Sequence, residues 1–177
     1  MTTVQVRDKV FKPYLSEEQI LARIDVLAER INRDLAGKNP LFVCVLNGAF
    51  MFASDLMKRI HIDCEIAFIR LKSYEGTNST GVTKEILGLV DNIEGRTVVL
   101  IEDIVDTGRT LVGLYDSLNK MNPESIRTAV LLFKPDAVEC EVSLEYVAFE
   151  IPNDFIVGYG LDYDGNGRNL NDIYVIC

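Results

Sequence analysis

The chain has 177 residues, 48% of them hydrophobic and 25% charged, which is the size and balance of one packed, water-soluble domain. Its net charge of −9 argues against a nucleic-acid partner, which needs a basic footprint, and no apolar run approaches the ~20 residues that span a bilayer. Residues 1–8 have neither the charged nor the apolar region of a signal peptide, so a cytoplasmic protein with no membrane partner is expected.

Ser16-Glu17-Glu18-Gln19 is a capping box, with Ser16 as N-cap and Gln19 at the third helical position. Behind it Ile20, Ile24, Leu27, Ile31 and Leu35 recur at helical spacing, and Gly37 is a natural stop. Residues 41–46 form a continuous apolar run of the length of a strand buried on both faces. Asn47-Gly48 breaks it, and residues 49–58 read as a helix. Residues 64–72 have strand character. From Ser73 and Tyr74 to Thr83 the chain is polar, glycine-bearing and without an apolar period, the composition of a mobile loop. A short strand at 86–89 and a turn at 91–95 follow.

Residues 97–111 read as a buried strand ending in Glu102-Asp103, then a short loop, Asp106-Thr107-Gly108-Arg109-Thr110, then a helix striped by Leu111, Leu114, Tyr115, Leu118 and Met121. Further strands are expected at 126–133, 146–149, 155–157 and 173–176. Strands alternating with helices, buried on both faces, imply an α/β domain with a mostly parallel central sheet flanked by helices. Ligands in such sheets bind at the carboxyl ends of the strands. Four clusters lie there on this reading: Leu46-Asn47-Gly48, Glu102-Asp103, Phe133-Lys134 and Gly158 to Asp162. Cys44, Cys64, Cys140 and Cys177 make no CxxC pair and are expected to be reduced, and a lone His61 offers no zinc spacing.

The chemistry of the 97–111 segment is specific. Ionised Glu102 and Asp103 suit two vicinal hydroxyls, or a metal bound to them. Successive strand residues point to opposite faces, so both reach one ligand only where the strand gives way to a loop. Asp106 and Thr107 can turn the chain, Gly108 permits close backbone approach, and Thr107 and Thr110 add hydroxyls. Free N–H groups at the following helix start favour a phosphate. Together these features describe a pocket for a phosphorylated ribose.

The run from Val98 to Thr110 resembles the phosphoribosyl-pyrophosphate signature of the type I phosphoribosyltransferases, and within them the hypoxanthine (hypoxanthine-guanine) phosphoribosyltransferases. Leu46-Asn47-Gly48, Ser73-Tyr74, Lys134-Pro135 and Phe155-Ile156-Val157-Gly158-Tyr159-Gly160-Leu161-Asp162-Tyr163, with Arg168 beyond, follow in that family's order. The resemblance implies a small hood region beside the sheet, a mobile catalytic loop beginning at Ser73 and Tyr74, and a homodimer or homotetramer. It implies transfer of a ribosyl phosphate from 5-phosphoribosyl 1-pyrophosphate to a 6-oxopurine, with Mg²⁺ as cofactor and pyrophosphate as product.

Residue by residue, the resemblance places Glu102 and Asp103 at the ribose hydroxyls. It sets Asp106, Thr107, Gly108, Arg109 and Thr110 around the 5′-phosphate, with Asp106 also the general base at the purine. Asn47, Gly48 and Arg168 would meet pyrophosphate, the first two in a loop with a non-proline cis peptide. Lys134 would donate to the purine 6-oxygen, Phe155 stack on the ring, and Ile156 offer backbone groups to its edge. Asp162, also placed among the purine-binding residues, would bind Mg²⁺ near the pyrophosphate, with Glu102 and Asp103 as further metal candidates. Asn47 stands where many members carry Lys or Arg. Two other readings stay open: a nucleotide-binding regulator of the same fold without turnover, and a transferase for another base such as xanthine.

Overall fold

Two sheets of opposite character divide the chain in the computed structural model, which describes residues 2–74, 83–89 and 92–177. The elements run β1 (Val4–Val6), β2 (Lys9–Leu15), α1 (Glu17–Asp34), β3 (Leu41–Leu46), α2 (Phe50–Met57), β4 (Glu65–Tyr74) and β5 (Thr83–Leu87). They continue with β6 (Thr97–Val105), α3 (Arg109–Asn119), β7 (Ser125–Phe133), a 3-10 turn at Pro135–Ala137, β8 (Tyr146–Glu150), β9 (Ile156–Val157) and β10 (Ile173–Ile176).

The central sheet has the order β5-β4-β3-β6-β7-β8. Its β4, β3, β6, β7 and β8 are parallel, and β5 lies antiparallel on the β4 edge. Alternation along the strands explains why they are apolar throughout. Phe42 and Cys44 of β3, Val99 and Ile101 of β6, and Ala129 and Leu131 of β7 join one core with the inner faces of α1 and α2. Leu41, Val43 and Val45, Val98 and Leu100, and Val130 point the other way, into a second core closed by Leu111, Leu114 and Leu118 of α3. At ~1.5–3 kcal/mol for each fully buried aliphatic or Phe side chain, these two layers supply most of the drive to fold.

The capping box forms as expected: Ser16 Oγ accepts from Gln19 N–H at 3.3 Å, and Gln19 Oε1 accepts from Ser16 N–H at 2.9 Å. The helix then buries Ile20, Ile24, Leu27, Ala28 and Ile31. Among the described residues no helix is long and apolar enough to cross a membrane.

The hood is a separate antiparallel sheet, β1-β2-β10-β9. The sequence reading did not foresee β1 and β2. Only Val6 and Phe11 of these strands are buried, and Pro13, which cannot donate to a ladder, reads against a strand. β9 and β10 therefore leave the parallel sheet to which the sequence had assigned them. The polar loop expected at 73–83 is also shorter: Ser73 and Tyr74 close β4, paired with Lys84 and Thr83 of β5. Residues 75–82 of that expected loop lie outside the described part of the chain.

Candidate active site

Because β3, β6 and β7 are adjacent and parallel, their carboxyl ends lie along one edge of the sheet, with Val105 beside Phe133. The loops that follow converge there. β6 itself corrects the sequence reading: it does not stop at Glu102-Asp103 but continues to Val105. Both acids nevertheless line one cavity of about 280 Å³, with residues 104–108, Thr110 and Leu111 completing its wall. Glu102 is buried and Asp103 partly so. Burial pushes the Asp103 carboxyl above its ordinary value of 3.8, against the Ile104 N–H that it accepts at 2.8 Å and the nearby Arg168 charge. Beneath them burial, reinforced by the charges of Glu102 and Asp103, raises the Cys44 thiol to about 12 and leaves it inert. Cys44, Cys64, Cys140 and Cys177 are all free thiols.

The turn after β6 has the shape its residues predict. Gly108 adopts φ +82° as the N-cap of α3, and a Cβ there would come within 2.7 Å of Val142. Thr107 O accepts from Glu139 N–H at 3.0 Å and from the Cys140 thiol at 3.3 Å, so the segment before β8 supports the loop from behind. No signal in the sequence marked that support, because it is a backbone contact across 32 residues. The exposed side chain of Arg109 forms an ion pair with Glu139, which leaves its backbone N–H as its part of the turn.

Asn47 and Gly48 lie on the neighbouring strand end, after a cis peptide at Leu46-Asn47. Asn47 is exposed and Gly48 buried. Only glycine fits at 48, since a Cβ would fall 1.6 Å from Asp103 Oδ2. The pyrophosphate loop and the ribose acids of the sequence reading are thus in direct contact.

Lys134 follows β7 and is 6% exposed, an unusual state for a lysine, which is almost never buried unless paired. Its ammonium donates to Asp106 Oδ2 at 3.3 Å and to Asn153 Oδ1 at 3.5 Å. Asn153 was missed by the sequence reading, for it stands 19 positions from its partner and in no local pattern. An ammonium has three donors, so one remains for a ligand carbonyl.

Two residues on, Phe155 is 45% exposed, with Tyr163 edge-on to it at 5.7 Å and Phe11 at 6.1 Å. This is an open aromatic face held upright by its neighbours. Ile176 N–H donates to Phe155 O at 3.0 Å. By antiparallel alternation, Ile156, the next residue of edge strand β9, turns its own N–H and C=O toward the free edge.

Gly158 to Asp162 follow β9 of the hood, not a strand of the parallel sheet as the sequence reading had placed them. They still reach the site, because a Cβ on Gly160 would lie 2.1 Å from Gly48 O. Asp162 accepts from Gly165 N–H at 2.7 Å and pairs with Arg168 at 2.8 Å, and Arg168 also donates to Gly160 O at 2.7 Å. Among the described residues no three acid, His or Cys side chains gather as a metal cage. The hard oxygens of Glu102, Asp103 and Asp162 suit an ion held by one or two carboxylates and completed by ligand phosphates, the habit of Mg²⁺. Of Ser73 and Tyr74 the structure gives the backbone position, at the β4 end on the same side of the sheet.

Comparisons with known proteins point to one family. The family model described as a phosphoribosyl transferase domain matches residues 12–164. A hypoxanthine-guanine phosphoribosyltransferase of Streptococcus thermophilus is 43% identical over 166 residues, covering 93% of this chain and 92% of the relative. One from Mycobacterium tuberculosis is 44% identical, over 90% of this chain and 82% of the relative. The crystal structure of a hypoxanthine-guanine phosphoribosyltransferase from Bacillus anthracis superposes with a TM-score of 0.87 at 38% identity, covering 94% of this chain and 98% of that one.

Proposed function

The chain belongs to the phosphoribosyltransferase family, and from that premise we propose that it is a purine-salvage enzyme. It joins hypoxanthine or guanine to the ribose of 5-phosphoribosyl 1-pyrophosphate and releases pyrophosphate. The observation that carries this reading is Asp106, on the wall of the ribose cavity, bonded to a buried Lys134 that Asn153 holds from its other side. A carboxylate that can take a proton and a buried ammonium with a spare donor stand side by side. A 6-oxopurine must lose a ring N–H as it attacks C1′ and presents a carbonyl oxygen beside that edge. Adenine would turn an amino donor toward the Lys134 donor instead and be disfavoured.

In this mechanism Glu102 and Asp103 hold the ribose hydroxyls, and the N–H groups and hydroxyls of the 106–110 turn hold the 5′-phosphate. Phe155 stacks on the base, and Ile156 meets its edge. Asp106 accepts the purine proton, and its charge favours the cationic character that grows at C1′. The backbone of Asn47-Gly48, with Arg168, receives pyrophosphate. The acids Asp162, Glu102 and Asp103 would hold Mg²⁺, which supplies charge neutralisation for the departing group. Ser73 and Tyr74 begin a loop that excludes water from the reacting carbon. A homodimer or homotetramer in the cytoplasm fits the family.

Competing hypoxanthine, guanine, xanthine and adenine for limiting 5-phosphoribosyl 1-pyrophosphate and Mg²⁺ tests this reading. It expects the nucleoside monophosphates of hypoxanthine or guanine to dominate and adenine to be excluded. No product from any base would favour a ligand-binding regulator, and a xanthine product in excess would reassign the substrate.

A further inference from the structure

The hood reaches the pyrophosphate loop through two residues that the chemistry above leaves unused. Tyr159 lies between Phe155 and Asp162 and is 1% exposed, and its phenol donates to Asp55 Oδ2 at 2.5 Å across 104 positions of chain. Asp55 stands on α2, the helix that begins directly after the Leu46-Asn47-Gly48 loop. The acceptor is fixed from its other side: Lys58 Nζ donates to Asp55 Oδ1 at 2.9 Å, and Arg59 holds the Asp55 backbone carbonyl at 2.9 Å. Burial opposes the charged form of Asp55, yet the bonds from Tyr159 and Lys58 outweigh it and hold this carboxyl below its ordinary range. Burial, reinforced by the bond to Asp55, raises the phenol, so it remains a donor.

The backbones meet at the same place. Gly160 packs on Gly48 O, and Gly48 packs on the Asp103 carboxylate, both too closely for any Cβ. Tyr159 itself adopts φ +48°, a left-handed conformation that a non-glycine residue keeps only when its surroundings enforce it. Moving the Phe155–Asp162 clamp inward drives Gly160 against Gly48, and moving it outward pulls on Asp55 and the helix that follows the pyrophosphate loop.

We propose that Tyr159 is a positioning residue, tied to Asp55, that couples the purine clamp to the pyrophosphate loop so that filling either subsite tightens the other. The inference rests on the phosphoribosyltransferase reading. It assigns Tyr159 no contact with substrate. Its effect is a coupling between two ligands, and such coupling is reciprocal.

Hypoxanthine and inorganic pyrophosphate lack the ribose that would let them react, so their joint binding can be measured on the intact protein. Calorimetric titration of hypoxanthine, with Mg²⁺ and with or without saturating pyrophosphate, is expected to show tightening of about fivefold or more in the wild type. In Tyr159→Phe that ratio should fall to within about twofold of one. Asp55→Asn keeps a carbonyl acceptor for the phenol and should keep the coupling, whereas Asp55→Leu should lose it. A merely structural role would lower melting temperature or weaken both ligands without changing the ratio. Wild-type coupling in Tyr159→Phe, or none in the wild type, overturns the proposal. If Tyr159→Phe does not fold, the contrast between the two Asp55 variants decides. Wild-type protein that binds neither probe and makes no product overturns the functional reading itself.

Discussion

A single run of chain, from Thr97 to Thr110, supplies the strand, two carboxylates, the candidate base and the phosphate turn of the donor half. The purine half, which in the proposal also meets pyrophosphate through Arg168 and Mg²⁺ through Asp162, is assembled differently: Lys134 directly follows the neighbouring strand, and Asn153, Phe155, Asp162 and Arg168 come from the hood and its approaches. The donor half is set largely by backbone on the rigid parallel sheet, with Gly108 turning the chain and Thr107 O pinned from behind. The purine half depends on side-chain pairs between separate elements: Lys134 with Asp106 and Asn153, Arg168 with Asp162, Tyr159 with Asp55. A contiguous site tolerates small motions of its surroundings, because its parts move together. A dispersed one is only as well ordered as the pairs that join its elements.

The largest expected effect falls where the halves meet. Asp106→Asn should preserve binding of both substrates but lower kcat by roughly 10²–10⁴, the usual range for loss of a general base. A kcat close to wild type would remove Asp106 from that role and leave the Lys134 pair as its whole purpose.

Phe155→Ala isolates the purine half. Base stacking is worth ~1–3 kcal/mol, so the KM for purine should rise by roughly 5- to 150-fold with the donor KM little changed. Equal rises in both would show that the halves cannot be separated in this way.

Asp103→Asn isolates the donor half and should divide function from stability. The variant should bind the donor less tightly yet melt at a higher temperature at pH 7. The folded state raises the Asp103 carboxyl above 3.8 through burial, so its share of stability is complete below pH 3.8 and is lost as pH rises through the folded value. The gain in melting temperature should therefore shrink as pH falls from 7 toward 4. A gain independent of pH would assign it to something other than this charge.

The smallest effect is expected at Arg109, whose exposed side chain pairs with Glu139. Exposed pairs contribute little, so Arg109→Ala should leave the donor KM within about twofold. A tenfold rise would show that the guanidinium leaves Glu139 to reach phosphate during turnover.

Much of the donor half was legible in the sequence because its information is local. A continuous apolar run fixed the strand, and Asp106, Thr107 and Gly108 marked the turn. Ser16 and Gln19 declared the start of α1 in the same way. The reading failed where a boundary depended on pairing, as at Glu102-Asp103, which a neighbouring strand carries on to Val105. Where the Arg109 side chain lies was not legible, because a side chain at a helix start can face either way, and its partner Glu139 stands 30 positions distant.

By itself the sequence determined that this is an α/β protein whose buried central strand runs through two acids into a glycine turn and a helix, since strand burial, turn residues and helix starts are short-range properties. Only the tertiary structure decided that β9 and β10 form a hood with two N-terminal strands, that Asn153 shares Lys134 with Asp106, and that Tyr159 ties the hood to Asp55. The Lys134–Asn153 and Tyr159–Asp55 bonds join residues 19 and 104 positions apart, and the hood pairs β10 with a strand more than 150 positions away. Their partners are chosen by how the two sheets pack, which no local pattern encodes.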